Sequence, residues 1–205
     1  MKNQDIKLED SILNSIEEAI KIKGSWRLKY AVAELLPELS WTIGRSLSDE
    51  HLIPVLEKLL TDSEQEVRSE ALVAITEVGK VCDPQLIVEK LMGPISTKLI
   101  TDPSVHVKAS LAECICKIGS LIGKDDCITH IIPIVGKLIK DECTEVRLSL
   151  MKEIAMVAKI IGEDATDEHI LPSIKELCKD KQWRVRHSTN KYFPIFAEVL
   201  DKQVF

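Results

Sequence analysis

Apolar residues recur at helical spacing along most of the chain, and no stretch shows the strict alternation expected of a strand. In the segment SEQEVRSEALVAITEVG, Val67, Ala71, Ile75 and Val78 are separated by four, four and three positions, which places them on one face of a helix. The preceding segment SDEHLIPVLEKLLTD begins with Ser48, a favoured N-cap residue, followed by two acids that suit the positive end of a helix dipole. The pattern therefore predicts an all-helical protein.

Four sequence columns repeat along the chain with a period of 39 or 40 residues. Each helix-internal proline is followed by a leucine five residues later and an aspartate eight residues later. Six residues beyond the aspartate stands a base, directly preceded by a valine. The columns are Pro54, Pro94, Pro133 and Pro172; Leu59, Leu99, Leu138 and Leu177; Asp62, Asp102, Asp141 and Asp180; Val67-Arg68, Val107-Lys108, Val146-Arg147 and Val185-Arg186. One period earlier, Leu28-Lys29 occupies the last two columns, so the chain contains an internal repeat.

The periodicity predicts five helix pairs, at 9–22 with 25–42, 49–60 with 64–81, 86–100 with 104–121, 126–140 with 143–161 and 165–179 with 182–199. One pair cannot bury its own apolar face, whereas stacked pairs bury a continuous core. We therefore predict a HEAT-repeat α-α solenoid that forms a single domain over residues 1–205, with repeats at about 9–45, 46–84, 85–124, 125–163 and 164–205. Each proline removes a backbone donor beyond the first helical turn, so kinked first helices are expected in repeats two to five.

The aspartate and base columns suggest a structural ladder rather than a catalytic site, because a catalytic dyad would not be copied into every repeat. Each aspartate falls at the turn between paired helices, and each base lies on the second helix. We predict that these residues form hydrogen bonds that join neighbouring repeats. The ladder residues are Asp62, Arg68, Asp102, Lys108, Asp141, Arg147, Asp180 and Arg186. Lys23 replaces the aspartate in repeat one, which weakens the expectation of a rung there.

Composition excludes several classes of protein. The formal net charge is −6 with acids and bases mixed throughout, whereas a protein that binds nucleic acid mainly through phosphates is usually basic. No apolar run reaches the roughly 18–20 residues of a membrane span, and the N-terminal segment MKNQDIKLED is too polar for a signal peptide. We expect a cytoplasmic protein that could also enter the nucleus. Several of the six cysteines occupy apolar helical positions, which favours reduced core thiols.

Candidate chemistry is sparse. His51, His130 and His169 all precede a repeat proline by three residues, but equivalent positions in stacked repeats lie roughly 10 Å apart. That separation is too large for a common metal ion with ligands near 2 Å. Cys114 and Cys116 are about 200° apart on a helix, so they cannot share a ligand. The sequence contains no phosphate-binding glycine loop and no G-x-S-x-G elbow. We therefore expect no catalytic residue, metal or cofactor.

Departures from the repeat are the best candidates for partner binding. Repeats one and five begin their second helices with Trp26-Arg27 and Trp183-Arg184. The equivalent positions in the other repeats are Gln65-Glu66, Val105-His106 and Thr144-Glu145. Because three repeats have no aromatic residue there, the fold does not require one. Tryptophan and arginine are enriched among interface hot spots, and the arginine fork suits carboxylates. The alternative is that each tryptophan packs over its own helical turn.

Several phrases resemble the structural A (scaffold) subunit of protein phosphatase 2A, in its middle repeats from the seventh to the eleventh. They are GKDDCITHIIP, KLIKDECTEVRLSLM, HILPSIKELCKDKQWRVR and SWRLKYAVAELLPEL. The resemblance implies a horseshoe scaffold whose ridge of turns binds both a catalytic and a B-type regulatory subunit. It implies catalytic-subunit contacts for Trp183 and Arg184, and regulatory-subunit contacts for Trp26 and Arg27. With only five repeats, most of the catalytic-subunit platform would be missing.

Two alternatives to this function stay open. A protein phosphatase 4-type regulatory subunit uses similar repeats. An importin-like transport adaptor is also built from HEAT repeats, but those that hold basic cargo tend to line their inner face with acids and tryptophans, and the tryptophans here appear only toward the ends. All three functions require protein partners rather than nucleic acid or a membrane.

Overall fold

The computed structural model describes residues 2–199, with side chains described for residues 11–194. Ten helices, numbered α1–α10, and no strand form within residues 2–199, which confirms the all-helical prediction. Their bounds are α1 Lys2–Lys21; α2 Trp26–Leu47; α3 Ser48–Leu52 and Ile53–Leu59; α4 Gln65–Val78; α5 Pro84–Leu86, Ile87–Leu91 and Met92–Thr97; α6 Val105–Ile122; α7 Lys124–Asp126, Cys127–Ile131 and Ile132–Leu138; α8 Thr144–Ile161; α9 Glu163–His169 and Leu171–Leu177; α10 Trp183–Val199. A single 3₁₀ turn, Leu99–Thr101, follows α5.

The predicted helix pairs match the observed ones, with the largest error at the beginning of the chain. Helix α1 begins at Lys2 instead of residue 9, because residues 2–8 are too polar for apolar periodicity to detect. Helical geometry also continues on both sides of Gly44, so α2 extends to Leu47. The remaining boundaries differ by a few residues, as is usual for helix ends.

The chain divides into two compact units, residues 1–95 and 96–205. In the first unit α2 packs against α1 and α4, and in the second unit α8 packs against both α6 and α10. The valine column supplies core side chains, since Val67, Val107, Val146 and Val185 are all fully buried. Leu28, in the equivalent position of repeat one, is instead 38% exposed, so this member of the apolar column is not a core residue.

The repeat prolines interrupt the first helices, as predicted. A wide π-helical turn directly precedes the proline segment in three of them, at Ser48–Leu52, Ile87–Leu91 and Cys127–Ile131. The wider turn accommodates a ring that would crowd the carbonyl four residues back and that offers no N–H. In α9 the interruption falls at Ile170, just before the segment that contains Pro172.

Ser48 does not cap a helix, contrary to the sequence-based expectation. Its backbone is helical, its side chain is fully buried, and its hydroxyl donates to the Ser40 carbonyl. The repeat junction lies four residues earlier, at Gly44, whose φ of 77° and ψ of −179° belong to a region that essentially only glycine adopts. Gly123 and Gly162 have the same geometry at two later junctions. Asp83 replaces glycine at the junction between repeats two and three, where its carboxylate accepts from the Gln85 N–H.

All six cysteines are free thiols, and four of them are buried. Burial raises the pKa of Cys127 to about 11. Burial and the nearby Asp49 carboxylate raise the pKa of Cys82 to about 12. Thiols with such values are protonated at neutral pH and unreactive, in agreement with a role as small core residues.

None of the described helices combines the length and the apolar character needed to cross a membrane.

Candidate functional site

The base of one repeat pairs with the aspartate of the following repeat, 33 residues further along the chain. The described pairs are Lys29 with Asp62, Lys108 with Asp141 and Arg147 with Asp180, with N–O distances of 2.7, 2.6 and 2.9 Å. Arg147 also donates from Nη2 to Asp180 Oδ1 over 3.1 Å. Both side chains of the Arg147–Asp180 pair are only 11% exposed. Ion pairs this sheltered from water are screened less by salt than surface pairs.

The six-residue spacing within a repeat reflects a different contact. Arg147 Nη1 donates to the backbone carbonyls of Asp141 and Glu142, at 2.6 and 3.1 Å, and not to the Asp141 carboxylate. Arg68 and Arg186 make the same contacts with the carbonyls of their own turns. The base therefore braces its own turn through carbonyls and, in the pairs described above, reaches the next repeat through a carboxylate.

Each ladder aspartate also braces the turn that precedes a second helix. One carboxylate oxygen accepts the backbone N–H two residues later in all four turns. The donors are Glu64, Ser104, Cys143 and Gln182. Asp102, the remaining member of the column, is only 7% exposed.

Repeat one also contributes a rung, contrary to the sequence-based expectation. Lys23 occupies the aspartate column, but the base of this repeat, Lys29, pairs with Asp62 in repeat two. Burial alone would raise the pKa of Asp62, yet the hydrogen bonds from Lys29 and from the Glu64 N–H, together with the charge of Lys29, hold that pKa below its ordinary value. Asp62 therefore stabilises the fold while it is ionised, and this contribution is lost as the pH falls through its lowered pKa.

Trp183 projects into solvent at the beginning of α10. Its side chain is 63% exposed, the Arg184 guanidinium carbon lies 5.9 Å from the ring centroid, and the His187 ring lies 6.4 Å away. The turn below it is braced by Asp180 and Arg186. An apolar ring thus stands beside an exposed guanidinium on a well-bonded turn.

The Trp26-Arg27 pair has a different geometry. Trp26 is only partly exposed, and the Arg27 guanidinium carbon lies 4.7 Å from its ring centroid, which is within cation–π range. Arg27 therefore covers part of the surface that Trp26 would offer to a partner. The two pairs share a sequence column but not an equal degree of exposure.

Trp41, which the repeat pattern did not single out, is as exposed as Trp183, at 63%. It lies on α2, on the same side as the exposed Glu34 and Glu38. Glu70, on the adjacent α4, approaches this side of α2, since the charges of Glu70 and Glu34 both raise the pKa of Tyr30. The signal was present in the repeat, where the positions equivalent to Trp41 hold Lys80, Ser120 and Lys159.

The described histidines do not converge. His51 Nδ1 lies 3.1 Å from Glu17 Oε1, and His169 Nε2 lies 3.9 Å from its neighbour Glu168. Among the described side chains, no three histidines, cysteines or acids are arranged to hold a metal ion. The chemistry of the described surface is therefore that of exposed aromatic rings and charges, which is suited to binding proteins.

Paired helices, braced turns and exposed side chains on an otherwise regular repeat define a HEAT-repeat scaffold. The family described as PPP2R1A-like HEAT repeat matches residues 45–123 and 124–203, and the chain belongs to this family. The beta isoform of the human 65 kDa regulatory protein of serine/threonine-protein phosphatase 2A, its A-type subunit, is 33% identical over 100 residues. That match covers 47% of the chain but only 17% of the human protein.

Solved structures share the fold. Cex1p superposes with a TM-score of 0.77 at 19% identity, over 94% of this chain and 36% of its own. Kap121p gives 0.73 at 16% identity, over 93% and 19%. A designed armadillo repeat protein in complex with the peptide (KR)4 gives 0.60 at 21% identity, over 92% and 83%. Together with the family match, these similarities confirm the HEAT-repeat solenoid class.

Proposed function

We propose that this chain is a non-catalytic scaffold that binds subunits of a protein phosphatase 2A-type serine/threonine phosphatase. The family match and the similarity to the human beta-isoform scaffold support this function. The catalytic subunit would contact Trp183 and Arg184, and a B-type regulatory subunit would contact Trp26 and Arg27. A protein phosphatase 4-type assembly would use the same surface, and the cytoplasm, with access to the nucleus, is the proposed location.

The exposure of Trp183 is the observation that carries this proposal. A ring that is 63% exposed gains little from the fold, and other repeats place threonine or glutamine in the same position. Burying such a ring beside an arginine in a protein interface is typical of a binding hot spot. The ladder contacts beneath Trp183 hold its backbone before the partner arrives, which reduces the entropy lost on binding.

Replacement of Trp183-Arg184 by Thr-Glu tests the proposal. Because this is the sequence of repeat four at the same turn, helicity and melting temperature should stay nearly unchanged. Binding of a purified phosphatase 2A-type catalytic subunit, measured by biolayer interferometry, should weaken by about 2 kcal/mol, which is roughly 30-fold.

The matched control replaces Trp26-Arg27 by Gln-Glu, the sequence of repeat two. It should leave the catalytic-subunit affinity unchanged and weaken the binding of a B-type regulatory subunit. Equal losses of catalytic-subunit affinity in both variants would contradict the assignment of two separate docks. A Thr-Glu variant that melts well below the wild type would show that Trp183 is needed for folding.

The side of α2 and α4 that bears Trp41 favours a second candidate function, that of an importin-like adaptor for basic cargo. Glu34, Glu38 and Glu70 form no ion pair with any lysine or arginine among the described side chains, and the exposed Trp41 ring offers a cation–π surface. The related fold of the designed armadillo protein holds the basic peptide (KR)4. Titration of this chain with (KR)4 should show binding that Trp41→Ala weakens, if this function is correct. Binding that is insensitive to Trp41→Ala would exclude it.

A further inference from the structure

Helix α10 carries an unusual charge pattern. Residues 183–194 include Arg184, Arg186 and Lys191 and no acid, whereas α4 and α8 each have a glutamate in the first turn. Cations near a helix N-terminus oppose the helix dipole and lower helix stability slightly. Arg186 is needed by its own turn, because it donates to the Asp180 and Lys181 carbonyls. Arg184 and Lys191 have no such structural role among the described contacts.

The exposed side chains of α10 form one stripe. Trp183, His187 and Lys191 are spaced by four residues, so they lie on one side of the helix. A second stripe runs along α8, where Leu148 and Lys152 are also four residues apart. The two helices pack against each other within the second unit, which brings the stripes side by side.

A groove of about 440 Å³ lies where these stripes meet. Leu148 and Lys152 line it from α8, and His187, Lys191 and Tyr192 line it from α10. The Lys191 ammonium lies 5.6 Å from the Tyr192 ring centroid, which leaves its hydrogen-bond donors without a carboxylate. The groove therefore presents cations above an apolar and aromatic wall.

Two acids also line the groove and set the charge balance. Glu113 is already satisfied, since it accepts from Ser149 Oγ at 2.9 Å and lies 3.6 Å from Lys152. Glu145 is the other acid. Against these two carboxylates stand Lys152, Lys191 and the adjacent Arg184, so cations are in excess even when His187 is neutral.

The dimensions favour a short extended peptide. Trp183 and Lys191 are eight residues apart on α10, which corresponds to about 12 Å along the helix axis. About four residues of extended chain cover that length. Cations at both ends and an exposed ring at one end match a segment with acidic residues around one apolar side chain.

We propose that the α8–α10 groove binds a short acidic segment of a protein partner, with carboxylates on Arg184 and Lys191 and an apolar side chain against Trp183. This inference rests on the proposed function, because Trp183 and Arg184 belong to both. It adds the chemistry of the partner and extends the site to α8 and the middle of α10.

A peptide titration of the full chain tests the inference. The probe is a fluorescent octapeptide of Glu and Asp with one central phenylalanine, followed by fluorescence anisotropy at low salt. Binding should exceed that of the same peptide with Gln and Asn, and should weaken as salt is raised. Lys191→Glu should lower the affinity about tenfold or more, and Lys191→Gln should lower it less.

Lys175→Glu is the matched control, because Lys175 is an exposed lysine of the second unit that does not line the groove. It makes the same change in net charge and should leave the affinity almost unchanged. Equal losses in Lys175→Glu and Lys191→Glu, or equal binding of acidic and neutral peptides, would overturn the inference. Stronger binding of a single-stranded oligonucleotide at the same groove would also overturn it, since the ligand would then be a nucleic acid.

A parallel measurement with the catalytic subunit separates the two proposals. Loss of subunit binding in the Trp183-Arg184 variant, with peptide and subunit binding unaffected by Lys191→Glu, would remove the acidic-segment inference and leave the proposed function standing. Binding of the acidic peptide that depends on Lys191, without any binding of the catalytic subunit, would have the opposite meaning.

Discussion

The second helices of the two units carry opposite charges on their exposed sides. In the first unit, α2 and α4 present acids, namely Glu34, Glu38, Glu66, Glu70 and Glu77. In the second unit, α8 and α10 present bases, namely Lys152, Lys159, Arg184 and Lys191. Equivalent columns of the repeat hold both signs, since Glu34 in repeat one corresponds to Lys152 in repeat four.

The ladder, in contrast, is alike in both units. Lys29 holds Asp62 in the first, and Lys108 and Arg147 hold their aspartates in the second, at distances between 2.6 and 2.9 Å. The repeat thus has columns that the fold fixes and columns that it leaves free. Charges in the free columns change from unit to unit, which is expected if they select partners rather than stabilise the helices.

The largest expected effect breaks the ladder in the second unit. Removing one partner of a buried ion pair leaves an uncompensated charge, so Arg147→Ala should lower the free energy of unfolding by about 3 kcal/mol. Lys29→Ala in the first unit should cost less, because the lysine makes one contact with Asp62 and none with its own turn. Urea unfolding of both variants measures the difference.

Double mutants sharpen the same comparison. Arg147→Ala and Asp180→Ala should cost less together than the sum of the single losses, by roughly 0.5–3 kcal/mol, because they share an ion pair. Arg147→Ala with Asp141→Ala should be closer to additive, since Arg147 contacts only the Asp141 carbonyl. Equal coupling in both double mutants would contradict the observed register of the ladder.

The sequence predicted the fold more completely than the site. Helix pairs and core columns follow from spacing, because each repeat must bury the same face. Spacing could not give the register of the ladder, since aspartate and base recur with the same period whether they pair within a repeat or between repeats. The second-nearest aspartate, 33 residues away, is the true carboxylate partner of Arg147.

Trp41 shows why the exposed surface was harder to predict. Its helix was predicted, but the departures from the repeat that indicated binding residues lie in the turn columns, and Trp41 lies well inside α2. A tryptophan within an amphipathic helix is more often buried than exposed, so exposure could only come from the packed structure. The groove between α8 and α10 was missed for the same reason, because it depends on which sides of two helices meet.

The smallest expected effect tests whether the acidic side of the first unit is retained at a cost to stability. Burial raises the pKa of Glu70 above its ordinary value, the Tyr30 hydroxyl lowers it and the charge of Glu34 raises it, with a net increase. An acid whose pKa is raised by folding destabilises the folded state while it is ionised, and stability is regained as the pH falls through the raised pKa. Glu70→Gln should therefore stabilise the protein at pH 7.

The gain should be only a few tenths of a kcal/mol, because Glu70 is partly exposed and solvent screens its repulsion from Glu34. It should disappear below the pKa of Glu70, when the wild-type carboxyl is protonated. Glu77→Gln is the control, since the Glu77 carboxylate is paired with Lys80 at 2.6 Å and should give no gain. Thermal unfolding at pH 7 and in acid measures both variants. A stabilised Glu70→Gln variant that also binds (KR)4 more weakly would show that this carboxylate is kept for a basic partner, whereas a gain in stability with unchanged binding would separate the charge of the first unit from any role in recognition.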